Sequence, residues 1–394
     1  MKNILIAIRS IFKKGRHNVM KIVSLGIGLA VGLVLIAKVY FEQSYDDFYP
    51  DRDRVYQVWA KYQQNGGELK DYPQTSGGIA PTMQQQIPEI ETVTRYTSFG
   101  DWTFTMTDTK MKYSGRCIIA DSCFFDILPR PMLIGNAKEV LSTPMYVLIS
   151  SRIAKNIGGD VIGKNFTVDN SPGRTMTIGG VFEEVPENSH SRYDVIVSMA
   201  SAGRFMWEGS PTNMLGNDRY ISYVKLHKGV NPLALEEQVR TFVNSYFPPE
   251  EQQKVGLSID FSFHKLDNLH KELPQVKRMT WILSLLAFAL IFTAVMNYIL
   301  IVISSIVNRS KEVAVHKCYG ASENNIHGMM FGEALVHIVL SLILALLLIL
   351  AFRGTVEELL ATSLDSLLLS NGSLVLLGIC ILVFFVSGFM PGSL

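Results

Sequence analysis

From Thr280 to Asn308 the chain carries no charged side chain. A helix needs roughly 20 apolar residues to cross a bilayer, and this run is longer than that. Three more runs have the same character: Ile22 to Ala37, prolonged by Lys38, Val39, Tyr40 and Phe41; Ala334 to Phe352; and Ser373 to Met390, which is interrupted by glycines and closed by Pro391. Lipid offers no partner for a bare peptide group, so each run is expected to be a helix. The expected spans are therefore 22–41, 280–306, 334–352 and 373–390. A cleavable secretory signal competes for the first run. Its length and the absence of a small-residue cleavage site after Lys38 favour a retained helix.

Residues 42–278, between the first and second runs, are polar enough to fold in water, which makes the expected class a membrane protein of about four transmembrane α-helices with a large α+β extracytoplasmic domain. Strands are expected at Val55–Tyr62, Val93–Phe99, Thr175–Val181, Tyr193–Ser198 and Ser222–Leu226, where β-branched and aromatic residues concentrate. Helices are expected at Ala80–Gln86, Ser150–Asn156 and Pro232–Tyr246, the last with Asn231 as its cap. Lys2, Arg9, Lys13, Lys14, Arg16 and Lys21 precede the first span without an acidic neighbour, which places the N-terminus in the cytoplasm. Residues 1–21 also align Ile4, Ile8 and Ile11 on one helical face, fitting a helix lying on the inner leaflet. Alternation then puts residues 307–333 inside, and the loop 353–372, with Glu357, Glu358 and Asp365, outside.

Lys plus Arg number 36 against 35 Asp plus Glu, a balance that argues against nucleic acid as a partner. Gly158 to Asn165 nearly spells a phosphate-binding loop, but Asn165 stands where a magnesium-binding hydroxyl is needed and no buried strand precedes it. A glycine turn entering a strand at Phe166–Val168 is the better reading. His190, His264 and His270 have no paired ligand spacing, so no metal is expected. No serine sits in a nucleophile elbow, so no catalytic residues are expected. Cys117 and Cys123 could pair in an oxidising compartment, and their spacing leaves the matter open.

Residues Val307 to Leu335 read VNRSKEVAVHKCYGASENNIHGMMFGEAL, basic and helical on both sides of a glycine. Gly320 is expected to end one helix and Ser322 to cap the next, making an elbow at the inner face. Arg309, Glu312, Ala314, Lys317, Gly320, Ala321, Ser322, Glu333 and Ala334 resemble the signature of FtsX-like permeases. Independently, CFFDILPRPMLIGNAKEVLSTPMYVLISSRIAKNIGGDVIGKNFTV followed by TIGGVFEEVPENSHSRYDV resembles the MacB-like periplasmic core domain, of the Bacteroidetes type.

The resemblance covers nearly the whole chain and implies an ABC transporter permease in a bacterial inner membrane, with its large domain periplasmic. ATP would be bound by a separate cytoplasmic ATPase, docked on an elbow built from Arg309, Glu312, Lys317, Gly320, Ala321, Ser322 and Glu333. A second permease copy is an implied partner and a periplasmic adaptor a further candidate. Export, or extraction of an amphipathic molecule, is the implied work; a receptor or regulator, such as an FtsX-like activator of a cell-wall hydrolase, is the alternative. Ala314 and His316 depart from the residues usual in the family, and the chain stops at Leu394 where relatives commonly carry a second domain and further spans. A half-length permease, a split gene and a truncated chain all fit that ending.

Overall fold

A computed structural model describes residues 18–318 apart from 170 and 217, residues 323–368, and positions 375, 378, 379 and 382. Contacts divide the chain into an outer unit, Tyr45–His270, and a membrane unit made of the segments on either side of it. In chain order the helices and strands are α1 (Asn18–Gln43), β1 (Val55–Gln64), β2 (Lys70–Tyr72), α2 (Ile79–Gln86), β3 (Ile90–Met106), β4 (Lys112–Ala120), α3 (Phe124–Ile127), β5 (Met132–Ile134), α4 (Ala137–Ser142) and β6 (Tyr146–Ser150). There follow α5 (Ser151–Ile157), β7 (Asn165–Val168), β8 (Ser171–Phe182), β9 (Val195–Ser198), α6 (Ala202–Phe205), β10 (Ile221–Leu226), α7 (Glu236–Tyr246), α8 (Pro249–Val255), β11 (Leu257–Lys265), α9 (Pro274–Cys318), α10 (Glu323–Ala351), α11 (Arg353–Leu360) and α12 (Leu364–Leu368).

The outer unit is α+β, and its strands follow the order β11-β1-β10-β3-β4-β9-β6-β8-β5. Strand β7 bonds to both β3 and β8, so β3, β4, β9, β6, β8 and β7 form a closed ring. Trp102, Phe104, Ile119, Ile149, Phe166, Met176 and Val197 fill it. The flatter part, β11-β1-β10-β3, buries Val58, Val93 and Val224 against Met83 of α2 and Phe242 of α7. Strand β3 belongs to both halves. Its pairing with β4 shifts register between Ser98 and Gly100, and Gly100 takes φ +74, a bulge that bends the strand from sheet into barrel.

The predicted strands are all present, with longer bounds for most. The expectation that one ends at Phe99 is corrected: β3 continues to Met106, because Gly100 marks a bulge there and not a terminus. Asn231 caps through its side chain, which accepts from the Leu233 N–H, although Pro232–Leu235 is a 3-10 turn ahead of α7. Gly158, Gly159 and Gly163 all have positive φ and lead into β7 with no helix after them, so this segment is a turn and not a phosphate cradle. Cys117 and Cys123 are both free.

Among the described residues, two helices of the membrane unit are long and apolar enough to cross a bilayer, Val19–Gln43 and Pro274–Leu300. A third is the bent pair Leu335–Ala351 and Arg353–Leu360, if it counts as one span. The fourth expected span, 373–390, lies almost wholly outside the described residues, as do residues 1–17 of the expected surface helix. Two expectations are corrected here. The second span and the start of the elbow are one uninterrupted helix, α9, and the expected loop at 353–372 holds α11 and α12. Helix α11 turns 69° away from α10, and Arg353 binds Glu357 one turn on at 2.9 Å, an i,i+4 pair that supports a helix where charge alone suggested a loop.

Candidate functional site

Two chain segments join the membrane unit to the outer unit covalently. Helix α1 ends at Gln43 and the outer unit begins at Tyr45; it ends at His270, and α9 begins at Pro274. Inside the outer unit these two ends are fastened to each other. The Tyr45 and His270 rings stack with centroids 3.4 Å apart, and Arg52 reaches Asp267 at 3.5 Å.

The leading segment is also fastened to the sheet. Asp46 is completely buried and adopts φ +61, a left-handed conformation that aspartate tolerates better than most residues. Its N–H donates to the Asn188 carbonyl at 2.9 Å. One carboxylate oxygen accepts from the Ser189 hydroxyl and the His190 N–H, each at 3.2 Å. The other faces His190 Nδ1 at 2.8 Å. A carboxylate can only accept, so Nδ1 carries the proton, and in the neutral ring Nε2 accepts from the Tyr223 hydroxyl of β10, 2.5 Å away. Ser191 donates to the Tyr96 hydroxyl of β3 at 2.8 Å. The Asn-Ser-His run singled out in the sequence is therefore the half of a clasp that grips the segment leaving the first membrane helix. Burial, reinforced by the Asp46 charge, pushes the Tyr49 phenol well above its ordinary range.

A second tie closes the same segment at the surface. Asp51 is bound by Arg54 at 3.1 Å and by Lys225 at 2.6 Å, and these hydrogen bonds lower its carboxyl to about 2 from an ordinary 3.8. Because the folded value lies below the unfolded one, the contribution of Asp51 to stability is complete above the unfolded value and is lost as pH falls through about 2. Acid titration of the purified full chain, followed by tryptophan fluorescence, is expected to show stability falling between about pH 4 and 2. Asp51→Asn is expected to flatten part of that fall, and an unchanged profile in the variant would refute the assignment.

In the membrane unit, α1 lies between α9 and α10. Gly28 and Gly32, one turn apart, bring its backbone against α9: a β-carbon at Gly28 would overlap Ala294, and one at Gly32 would lie 2.7 Å from Ile291. Gly26 faces α10, where a β-carbon would meet Leu344 at 2.8 Å. Leu25, Leu29 and Leu33 complete the seam with Tyr298, Ile338 and Ala345. On α9, Trp281, Leu285, Phe288 and Phe292 are exposed, as a lipid-facing helix requires. The Gly-x-x-x-Gly spacing of Gly28 and Gly32 was the sequence signal for this seam.

Of the predicted coupling residues, Arg309, Glu312 and Lys317 fall on the last three turns of α9 and Glu333 falls on α10, while Gly320, Ala321 and Ser322 lie outside the described residues. The break expected at Gly320 falls among residues 319–322, which lie outside the described residues.

The profile of the MacB-like periplasmic core domain matches residues 20–242, more than half the chain, and that of the FtsX-like permease C-terminal region matches residues 284–393. The chain belongs to the FtsX-like permeases that carry a MacB-like periplasmic core domain. Membership makes it a membrane-embedded permease of the ABC transporter type, which implies a partner ATPase. Among solved structures, this permease is similar to a permease-protein domain from Porphyromonas gingivalis, 33% identical over 55% of this chain and 91% of that one, with a TM-score of 0.51. It also matches the periplasmic region of MacB from Actinobacillus actinomycetemcomitans, 15% identical over 56% of this chain and 91% of that one, with a TM-score of 0.36. No curated protein matches the permease in a sequence comparison.

Proposed function

We propose that the chain is the permease subunit of a mechanotransmission-type ABC transporter, in which a separate cytoplasmic ATPase docks on residues 307–333 and its cycle moves the periplasmic domain. The reading includes four spans in the bacterial inner membrane, a cytoplasmic N-terminus, a second permease copy and, as a further partner, a periplasmic adaptor. The work done is export, or extraction of an amphipathic molecule from the outer face of that membrane. The chain's own residues bind, transmit and position, with no catalytic step assigned to them.

The observation that carries this reading is α9. It runs unbroken for 45 residues. At 1.5 Å per residue that is about 67 Å, roughly twice the hydrocarbon thickness of a bilayer. One end starts just after the outer unit's clasped neck and the other holds Arg309, Glu312 and Lys317. A continuous helix with its peptide groups bonded internally is stiff along its axis, so displacement at one end arrives at the other.

The test is affinity purification of the tagged chain in mild detergent, followed by ATPase assay of what accompanies it. Wild type is expected to bring down an ABC ATPase that Glu312→Lys with Gly320→Pro loses. Ile303→Pro, in the middle of α9, removes a helical hydrogen bond at a cost of about 3 kcal/mol. That variant is expected to keep the ATPase but lose cargo-dependent stimulation. A wild-type preparation without any ATPase would turn the reading to the receptor or regulator.

A further inference from the structure

Within the membrane unit, a pair of charged groups near the end of α1 is buried where a helix of this kind would ordinarily carry leucine. Lys38, on the last two turns of α1, is 6% exposed and its partner Glu42, one turn later, 4%. Their charged atoms are 2.5 Å apart. The ammonium also donates to the Thr362 hydroxyl at 2.7 Å, across 324 residues of sequence. Thr362 in turn donates to the Leu360 carbonyl at 3.0 Å, so its hydroxyl proton is committed and a lone pair faces the ammonium.

Thr362 is held in place by a costly turn. Ala361, between α11 and α12, has φ +48, a left-handed conformation unfavourable for a residue with a β-carbon by about 1–2 kcal/mol. Around the turn, Val356, Leu360, Leu364 and Leu368 pack with Leu33 and Val34 of α1. Glu357 accepts from the Leu364 N–H at 2.9 Å and binds Arg353, closing α11 and α12 into a cap. Hydrophobic contact already joins this cap to α1. A buried ion pair is weak evidence for stability, since an apolar pair of similar volume often does as well or better, and its best-attested use is to fix one register against others.

We infer that Glu42, Lys38 and Thr362 form a latch that fixes the rotation and height of the first membrane helix against the α11–α12 cap, and so sets the resting position from which the permease moves. Apolar side chains alone would let α1 turn or slip by part of a residue with little penalty; a buried ammonium that meets a hydroxyl in one register cannot. The three are positioning residues. The functional consequence rests on the permease reading above; the contact itself does not.

The experiment is hydrogen–deuterium exchange on the full-length protein in nanodiscs, alone and with its ATPase. It compares wild type with Thr362→Val, Thr362→Ser and the double variant Lys38→Met with Glu42→Met, which removes both charges of the pair together. The latch predicts that Thr362→Val and the double variant speed exchange of amides 355–368 about fivefold or more, that peptides of the outer unit stay unchanged, and that Thr362→Ser restores protection. In the complex, the same two variants are expected to raise ATP turnover without cargo, with the serine variant again like wild type. Unchanged exchange in both variants would overturn the latch. Altered exchange with unaltered turnover would reduce it to a structural contact and overturn the positioning role. If no ATPase associates at all, the permease reading fails while the exchange data still decide the contact. Should the double variant not fold, the two threonine variants decide the matter alone.

Discussion

Gly28→Leu is expected to separate α1 from α9 and to destabilise the membrane unit by about 3 kcal/mol. Its first side-chain carbon has no room, because it would fall on the Ala294 β-carbon with the α9 backbone directly behind. Helix association in lipid has no hydrophobic driving force, so it depends on close packing of this kind. Thermal unfolding of the detergent-purified protein, read by size-exclusion monodispersity after heating, measures the loss. Gly354→Ala, on α11 where nothing approaches, serves as contrast and is expected to gain about 0.5–1 kcal/mol. A sharper check exchanges the methyl group across the seam: Gly28→Ala alone should destabilise, and adding Ala294→Gly should recover most of the loss. Failure of the second change to rescue the first would mean that the glycine is needed for something other than clearance.

The second large effect is expected at Asp46. Asp46→Ala strips the acceptor from the His190 N–H and from His190 Nδ1, leaves the Ser189 hydroxyl only the Ser191 carbonyl, and forces alanine into φ +61. The expected loss is about 3–5 kcal/mol. Asp46→Asn should lose much less, because asparagine tolerates the left-handed conformation and keeps one oxygen facing Ser189 and the His190 N–H. Its amide can donate to Nδ1 once the imidazole proton moves to Nε2, where it meets the Tyr223 oxygen. Urea unfolding of the full chain, followed by fluorescence, separates the two variants by midpoint. Equal midpoints would show that charge, not hydrogen bonding, holds the clasp. A double-mutant cycle of Asp46→Ala with Tyr223→Phe would then measure how far the grip extends into the sheet.

What was legible in the sequence follows the range of the interaction. The apolar runs announce α1, α9 and α10 because burial in lipid imposes composition residue by residue, and β-branched runs announce β1 and β10 for a similar local reason. The barrel was not legible, since closure depends on β7 pairing with β3 and β8 at once, and nothing inside Asn165–Val168 states that. Strand β11 alternates Ile259, Phe261 and Phe263 with polar residues, a local pattern that does announce a strand. The clasp joins residues 144 apart and the latch residues 324 apart, so neither leaves a local trace. The proposed coupling residues rest on family resemblance alone, since as a sequence Arg309 and Glu312 read like any solvated pair in a helix. The cap is hidden in the sequence because Glu357, Glu358 and Asp365 read as the charges of a loop, whereas Glu357 closes a turn between α11 and α12.

Because β3 runs through both the flat sheet and the barrel, the core under the sheet and the core inside the barrel share one backbone. They cannot slide past each other without breaking a strand. The ladder between β3 and β4 is already interrupted at Gly100, where the strand passes from sheet to barrel, and that bulge is the natural pivot for a distortion of the outer unit. A pull delivered at the neck, close in sequence to β1 and β11, would thus reach the far barrel as rotation and not as shear.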